Sequence, residues 1–370
     1  MRFPGFEGEW ELKKLSAYLY ENKERNRNGE FNKSDVLSVS GDCGIVNQIE
    51  LLGRSFAGKS VADYHVVRTD DIVYTKSPLK EYPYGIVKYN NGQDGIVSTL
   101  YAVYHHKDNV DGQFVEYYFT NPQRTNRYFK PIVRIGAKHD MKIGNEEVLD
   151  SFVVFPGLEE QRKITEMLSL LDLRIAIQNK VIEKYESLIK ALRHHLFSTL
   201  ESVKEVPVAD LLSYEQPTKY IVSDTEYSNN TDLTPVLTAN KAFILGYTDE
   251  VEGIYDKGPC IILDDFTLDF KIVEFPFKVK SSAIKILSAK TTVSLRYIFE
   301  YMKFLDLNTE EHKRHYIAEI EPMSIELPEE DTIKSIAFLF DLMDKRRKGL
   351  ERDQQLLKSQ KDYLLREIFI

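Results

Sequence analysis

Two stretches of the chain carry the same pattern, in which apolar residues recur in alternating steps of four and three. One stretch follows Pro156, the other follows Pro328, and each opens with acidic residues. Such a heptad pattern predicts two helices of about 40 residues that pack on a partner helix through an apolar seam. The seam positions are Ile164, Leu168, Leu171, Ile175, Ile182, Ile189, Leu192 and Leu196 in the first helix, and Ile336, Phe340, Met343, Leu350, Leu357, Leu364 and Ile368 in the second.

The second stretch is a repeat of the first. With Pro156 aligned on Pro328, Ile164 falls on Ile336 and no gap is needed to the end of the pattern. A match of this length indicates an internal duplication. We therefore predict two copies of a globular domain followed by a helix, with the divisions 1–154, 155–200, 201–327 and 328–370.

A two-fold relation between the two copies predicts that the helices run antiparallel as a coiled coil. Polar residues interrupt the second seam at Arg347, Gln354 and Lys361. The alternative is that the two helices are ordinary core helices of separate domains. The antiparallel arrangement would hold two copies of one reading domain apart, which suits the inverted half-sites of duplex DNA.

The globular segments mix strand-like runs with short helical ones. Runs rich in β-branched and aromatic residues, such as "YHVVRTDDIVYTK" and "PCIILDDF", predict strands separated by turns such as Asn91-Gly92. Helical pieces are predicted near Leu12–Asn22, Phe114–Phe119 and Ser294–Phe304. Because strands and helices do not alternate regularly, the prediction is an α+β fold, with two globular domains joined by two long antiparallel coiled-coil helices.

The charge of the chain is distributed unevenly. The net charge is −9, and residues 201–327, with 22 acidic and 13 basic side chains, account for all of it. Local basic runs nevertheless occur in both halves, at Arg124–Lys142 and at Lys271–Lys290. Cations interleaved with aromatic and polar side chains are typical of surfaces that bind nucleic acid, although such runs are also common on ordinary solvated faces.

One segment raises a second class of function. Residues Gly53–Ser60, "GRSFAGKS", match the phosphate-binding pattern G-x-x-x-x-G-K-[ST] and leave a P-loop ATP-hydrolysing protein as the alternative. A working P-loop opens a helix, but the residues that follow Ser60 have strand character. Asp264-Asp265 could hold a metal but fits the end of a strand equally well. We identify no catalytic, cofactor-binding or metal-binding residues, and the two cysteines are expected to be reduced.

Several segments resemble the specificity subunits of type I restriction–modification systems. The resemblance rests on "RFPGFEGEWELKKL" at the start, on "PGLEEQRKITEMLSLLDLRI" and "ALRHHLF" in the first helix, and on "LPEEDTIKSIAFLFDLMDKR" and "YLLREIF" in the second. In the second globular segment, "PVLTANKAFILGYTDE" and "FPFKVKSSAIKIL" also look typical of a target-recognition domain of this family.

This resemblance implies a role in host defence. Two target-recognition domains, 1–154 and 201–327, would read the two halves of a bipartite site in double-stranded DNA, and the helices would set the gap. The chain would be non-catalytic. Two modification (methyltransferase) subunits would dock near Arg174 and Arg346 and methylate adenine, and two restriction (translocase and endonuclease) subunits would cleave unmodified DNA. S-adenosylmethionine, ATP and Mg²⁺ would belong to these partners. The expected location is the cytoplasm, without contact with a membrane.

Candidate DNA contacts follow from charge, hydrogen-bonding capacity and position in loops. We expect lysine and arginine to contact phosphates and polar donors to read base edges. The residues chosen are Lys76, Lys80, Arg127, Lys130 and Lys138 in the first domain, and Lys219, Tyr220, Lys241, Lys278, Lys280, Ser282 and Arg314 in the second.

Overall fold

The computed structural model describes residues 2–135, 141–239, 242–307 and 313–369. The chain folds as two compact units. The first comprises Met1–Gln178 with Gln354–Ile370, and the second comprises Asn179–Asp353. Within the described residues, no helix combines the length and the apolar character that crossing a membrane requires.

The first unit is built on a four-stranded antiparallel sheet with the order β2-β9-β6-β7. The same unit contains three helices, α1 (Gln48–Leu52), α2 (Gly112–Phe119) and α3 (Pro122–Phe129). The strands of this unit are β1 (Glu11–Lys14), β2 (Leu19–Glu21), β3 (Leu37–Ser40), β4 (Gly44–Asn47), β5 (His65–Val67), β6 (Ile72–Thr75), β7 (Val87–Tyr89), β8 (Gly95–Val97), β9 (Tyr101–His106), β10 (Arg134–Ile135), β11 (Met141–Lys142) and β12 (Phe152–Phe155).

The second unit contains a four-stranded antiparallel sheet with the order β14-β20-β17-β18 and a three-stranded sheet with the order β16-β15-β19. Helices α5 (Val208–Leu211) and α6 (Leu295–Phe304) belong to this unit. Its strands are β13 (Lys204–Pro207), β14 (Leu212–Glu215), β15 (Thr234–Leu237), β16 (Ile244–Thr248), β17 (Cys260–Asp264), β18 (Phe270–Val273), β19 (Lys278–Val279), β20 (Ile284–Ala289) and β21 (Ser324–Leu327).

The two units repeat one topology. In each four-stranded sheet the first strand in sequence pairs with the last, which pairs with the second, which pairs with the third. A helix follows the last strand in both cases, α2 after β9 and α6 after β20. The entry and exit strands also pair in both units, β1 with β12 and β13 with β21. The duplication indicated by the helices therefore extends through the globular parts of the chain.

Two long helices follow the exit strands. Helix α4 spans Leu158–Ser198 and helix α7 spans Glu330–Ile368, within three residues of the predicted starts and ends. Acidic residues occupy the first turn of each, where they complement the positive end of the helix dipole. Each helix contributes one part to the first unit and one part to the second.

Contacts inside each unit define the direction of the helices. In the first unit Lys361 of α7 contacts Asp172 of α4, and in the second unit Arg193 of α4 lies over the ring of Phe340 of α7. In the first unit, Ile164 and Leu168, which precede Asp172, share a cluster with Leu365, Ile368 and Phe369, which follow Lys361. The two helices therefore run antiparallel within this unit.

Burial along α4 and α7 follows the predicted seam. In the first unit Ile164 and Leu168 are fully buried in one apolar cluster with Leu365, Ile368 and Phe369. In the second unit a cluster that includes Ile336, Phe340 and Met343 takes in the end of α4. The remaining seam positions are buried or half-buried, namely Leu171, Ile175, Ile182, Ile189, Leu192, Leu196, Leu350, Leu357 and Leu364.

One predicted helix is wrong. The stretch Leu12–Asn22 forms strands β1 and β2 with a single 3-10 turn between them, at Leu15–Ala17. That turn brings Leu15, Tyr18 and Leu19 into the core at a spacing that imitates a helix. The helices predicted near Phe114–Phe119 and Ser294–Phe304 are present as α2 and α6.

Candidate nucleic-acid interface

Helix α3 and the residue that caps its C-terminal end present two of the predicted cations of the first unit. The side chain of Asn121 caps the helix by accepting from the N–H of Arg124, and Pro122 occupies the first turn, where it fits without strain. Tyr128 and Phe129 point into the core, where the Phe129 ring stacks on that of another core residue. Arg127 and Lys130 are consequently exposed. The aromatic residues of this run therefore belong to the core and not to a surface for bases.

The other lysines predicted in the first unit have different surroundings. Lys80 is exposed on the loop between β6 and β7. Lys76 is half-buried, and its Nζ donates to the carbonyl oxygen of Ile143 at 2.8 Å and to Oδ1 of Asn145 at 2.5 Å. Burial lowers the pKa of Lys76. Its ammonium holds two chain segments together, so it is not available to a phosphate in this arrangement. Lys138 lies outside the described residues.

In the second unit, three exposed candidates lie on two neighbouring segments. Lys219 is exposed on the 3-10 turn Pro217–Tyr220, while Lys280 and Ser282 are exposed just beyond β19. The two segments run side by side, because Ile221 pairs with Val279 in a parallel bridge. These two neighbouring segments therefore expose two ammonium groups and a hydroxyl. Lys241 lies outside the described residues.

Two further candidates of this unit are buried. Lys278 is 3% exposed, and its Nζ lies 2.6 Å from Oε2 of Glu250 and donates to the carbonyl of Glu252 at 2.6 Å. The hydrogen bond from Lys278 lowers the pKa of Glu250. Tyr220 is 6% exposed and donates its phenol to Oε1 of Glu215. Both side chains stabilise the unit, so neither is placed to meet DNA as we predicted.

A buried carboxylate supports the position of Arg314. Asp265 is 1% exposed, and its Oδ1 accepts from the backbone N–H groups of His315 and Tyr316. Its Oδ2 lies 3.2 Å from Nζ of Lys285, which is also buried. These bonds fix the segment that carries Arg314, whose side chain is 55% exposed. The sequence did not reveal the positioning role of Asp265, because the two backbone N–H groups that it holds lie about 50 residues further along the chain.

The geometry does not support the two alternative sites, a nucleotide-binding loop at Gly53–Ser60 and a metal site at Asp264-Asp265. Gly53 closes helix α1 in a left-handed conformation, with φ of 75°, and the next element after Ser60 is strand β5. The backbone of Gly53–Ser60 therefore does not open a helix as a phosphate-binding loop must. Asp264 accepts from the N–H groups of Phe266 and Thr267, which makes it a turn residue. The described residues contain no group of three side chains suited to a metal ion.

The long helices keep an apolar surface outside the seam. In the first unit, Leu170, Leu173 and Ile177 are each more than half exposed, and they border a groove of about 570 Å³ that also includes Arg174. In the second unit, Phe338 is 65% exposed on α7. Exposed apolar patches of this kind mark surfaces for other proteins.

Comparison with known proteins identifies similar chains. No family model matches this chain. A stretch of 132 residues is 42% identical to the specificity subunit of the type I restriction enzyme EcoR124I/EcoR124II of Escherichia coli; it covers 34% of this chain and 32% of that protein. The match thus spans about a third of the length of the curated relative.

Two solved structures match over almost the whole chain. The S subunit of a type I restriction–modification system from M. genitalium matches with a TM-score of 0.62 and 12% identity, covering 98% of this chain and 96% of that one. A chain from a study of complex assembly and conformational transition in a type I system matches with a TM-score of 0.52 and 13% identity, covering 98% and 97%. At these identities the two structures establish a shared fold.

Proposed function

We propose that this chain is a specificity subunit of a type I restriction–modification system and that it recognises a DNA site made of two separated half-sites; the 42% identity to such a subunit over 132 residues and the fold shared with an S subunit support this. Each unit reads one half-site, and α4 and α7 set the spacing. The chain is a recognition subunit, and the methylation of adenine and the cleavage of unmodified DNA are carried out by partner subunits.

The repeated topology of the two units is the observation that carries this proposal. Both contain the same order of four strands, followed by a helix and by the start of a long helix. A duplicated reader on antiparallel helices matches a DNA site whose halves are separated and inverted. A protein that recognised one continuous short sequence would need only one such unit.

The exposed cations supply the DNA contacts in this proposal. Lys80, Arg127 and Lys130 serve the first unit, and the second unit uses Lys219, Lys280, Ser282 and Arg314. Lysine and arginine neutralise phosphates and provide affinity for any sequence, whereas the hydroxyl of Ser282 can reach a base edge. The acidic surplus of residues 201–327 repels DNA elsewhere on that unit and confines binding to the exposed cations.

Partner subunits occupy the exposed faces of the long helices. We assign two modification subunits to the surfaces near Arg174 and Arg346, where apolar residues such as Leu173 and Ile177 are exposed outside the seam. Restriction subunits join the assembly through them. S-adenosylmethionine, ATP and Mg²⁺ bind to these partners, and the complex acts in the cytoplasm.

Sequencing of methylated adenines in the host genome tests the function directly. In the strain that carries the gene, we expect an interrupted motif with two short specific parts separated by a gap. Deletion of this gene alone, with the modification gene left intact, should abolish methylation at that motif. An unchanged methylation pattern would refute the proposal.

A second experiment tests the DNA contacts assigned to the first unit. Arg127→Ala with Lys130→Ala removes two exposed cations of the first unit and leaves the second unit intact. The assembled methyltransferase should then bind all DNA sequences more weakly, with a salt dependence reduced by about two phosphate contacts. The matched control is Lys180→Ala with Lys184→Ala on the exposed surface of α4, which should leave DNA affinity unchanged.

A further inference from the structure

The second unit contains a cleft that the proposed function does not use. Its volume is about 710 Å³, within the range of small-molecule sites, and its walls come from α4, β18, α6 and α7. The rings of Phe270, Phe299 and Phe340 line its floor and are each less than a tenth exposed. The cleft therefore combines an apolar floor with the many charged side chains that the four elements contribute.

The carboxylates at the floor of the cleft are already engaged. Glu300 is 4% exposed and lies 2.7 Å from Arg193, and it also pairs with Arg296. Asp344 lies 2.7 Å from Arg347 and 2.9 Å from another cation of α7. These acids are neutralised by the arginines around them, so none is left to balance further positive charge.

Two lysines of the cleft have no such partner. Nζ of Lys303 lies 4.0 Å from the ring centre of Phe270 and 5.8 Å from that of Phe299. Lys271, on β18, lines the same cleft. Within the described part of the chain, no carboxylate lies within 4 Å of either ammonium group. Glu186 and Glu274 line the cleft on its exposed side without pairing with these lysines.

Burial makes this arrangement costly for the protein alone. Burial and the neighbouring charge of Lys271 lower the pKa of Lys303 to about 8, and the opposing charges of Asp269 and Glu300 do not offset this effect. A half-buried ammonium near a like charge is stabilised by an anion that accepts hydrogen bonds from both. The aromatic floor attracts the ammonium through its ring faces, but it supplies no hydrogen-bond acceptor.

We propose that this cleft binds a small organic anion, in which a phosphate or carboxylate group is attached to an aromatic ring. The anionic group accepts hydrogen bonds from Lys271 and Lys303. The ring lies against Phe243 and Phe275, whose own rings are in edge contact 6.3 Å apart at the side of the cleft. This site is independent of DNA recognition and would stand if the proposed function failed.

Titration of the lysines in the purified full-length chain tests the proposal. The lysines are reductively methylated with ¹³C, and the signal of Lys303 is identified by its absence in Lys303→Arg. Phenyl phosphate, benzoate and inorganic phosphate are then added separately. We expect phenyl phosphate or benzoate to raise the pKa of Lys303 by about one unit, which corresponds to a tenfold preference for the charged form.

The three probes distinguish the chemical classes. A response to phenyl phosphate alone identifies a phosphate ligand, and a response to benzoate alone identifies a carboxylate. Inorganic phosphate should bind at least tenfold more weakly than phenyl phosphate; equal binding would refute the aromatic part of the proposal. No change at Lys303 with any probe at about 20 mM would overturn it, since a useful small-ligand site binds in the millimolar range or below.

Variants provide a second measurement by calorimetry. Lys303→Met and Lys271→Met should each weaken binding of the responding probe at least tenfold. The control is Lys358→Met, which removes an exposed lysine of α7 in the first unit and should leave binding unchanged. Affinity equal to that of the unmodified protein in both cleft variants would refute the site.

Discussion

The ammonium of Lys361 on α7 donates a hydrogen bond at 2.5 Å to Oδ1 of Asp172 on α4. The other oxygen of Asp172 accepts from the phenol of Tyr117 on α2 at 2.8 Å. One carboxylate therefore connects both long helices to the globular part of the first unit. Lys361 occupies a seam position, so a polar residue that interrupts the heptad pattern is the one that joins the two helices. Pairs of this kind fix the register of coiled coils.

Removing Asp172 should destabilise the first unit more than removing Lys361. Asp172→Ala leaves a half-buried ammonium and a phenol without their acceptor, and we expect a loss of about 1–2 kcal/mol in the free energy of unfolding. Lys361→Met places an apolar side chain in the seam and should change it by less than about 1 kcal/mol. Urea unfolding followed by the fluorescence of Trp10, the single tryptophan, reports on this unit. Equal losses in both variants would contradict this account, and Asp362→Ala, at an exposed site, serves as control.

Comparison of variants at Lys278 and Lys280 should distinguish a structural lysine from a lysine that contacts DNA. Lys278→Met removes the buried partner of Glu250 and should lower the stability of the second unit by about 3 kcal/mol. Lys280→Met changes an exposed residue and should leave stability unchanged, while DNA binding by the assembled complex loses about one phosphate contact in its salt dependence. Thermal unfolding and binding at several salt concentrations measure the two effects. The opposite pattern, with DNA binding sensitive only at Lys278, would contradict the structural role assigned here.

The long helices could be predicted because they depend on local spacing. The duplication could be predicted because the same spacing occurs twice in the chain. A seam of apolar residues at steps of four and three, as from Ile164 to Leu171, specifies a helix without knowledge of any distant contact. The resemblance to type I specificity subunits rested on these helices together with the start of the chain and the second globular segment, and the 42% identity to such a subunit over 132 residues confirms it. The helix predicted for Leu12–Asn22 was wrong because β1 pairs with β12, about 140 positions further along the chain. Local spacing carries no information about that pairing.

The candidate site was only partly predictable for a related reason. Charge and residue type do not distinguish an exposed lysine from a buried one, and Lys278 and Lys280 differ by two positions in the same basic run. Burial of Lys76 depends on Asn145, which lies 69 residues away. Contacts at such separation are fixed by the tertiary fold, so the sequence identified the class of residue but not its surroundings.

Asp265 should be required for the segment that carries Arg314. Asp265→Asn removes the charge that Lys285 neutralises inside the unit, and the loss of a buried pair should cost about 3 kcal/mol. Hydrogen exchange of the amides of His315 and Tyr316, which donate to Asp265, should speed up before the rest of the unit is affected. Asp264→Asn is the matched control, because its side chain accepts only within its own turn. Asp265→Ala also removes the oxygen that accepts from His315 and Tyr316, and unchanged exchange in that variant would exclude the positioning role.

His65 gives the first unit a dependence on pH. Its ring is 1% exposed on β5, and Nδ1 is buried without a hydrogen-bond partner among the described residues. Burial, together with the charges of Arg25 and Lys76, lowers the pKa of His65 to about 4. The unfolded chain has the ordinary value near 6.5. Between these two values the unfolded chain binds a proton that the folded unit does not, so stability is lost as the pH falls from 6.5 towards 4.

The variant His65→Gln should therefore be less sensitive to acid than the natural chain. A difference of about 2.5 pKa units corresponds to about 3 kcal/mol, which the natural chain should lose between pH 7 and pH 4 and the variant should keep. Urea unfolding followed by Trp10 fluorescence at several pH values measures this difference in the first unit. His195→Gln changes an exposed histidine of α4 in the second unit and should show the full acid sensitivity of the natural chain. Buried Asp71, whose pKa is raised by burial, acts in the opposite direction but equally in all three proteins. If His65→Gln loses as much stability as the natural chain over this range, the acid sensitivity arises from other groups.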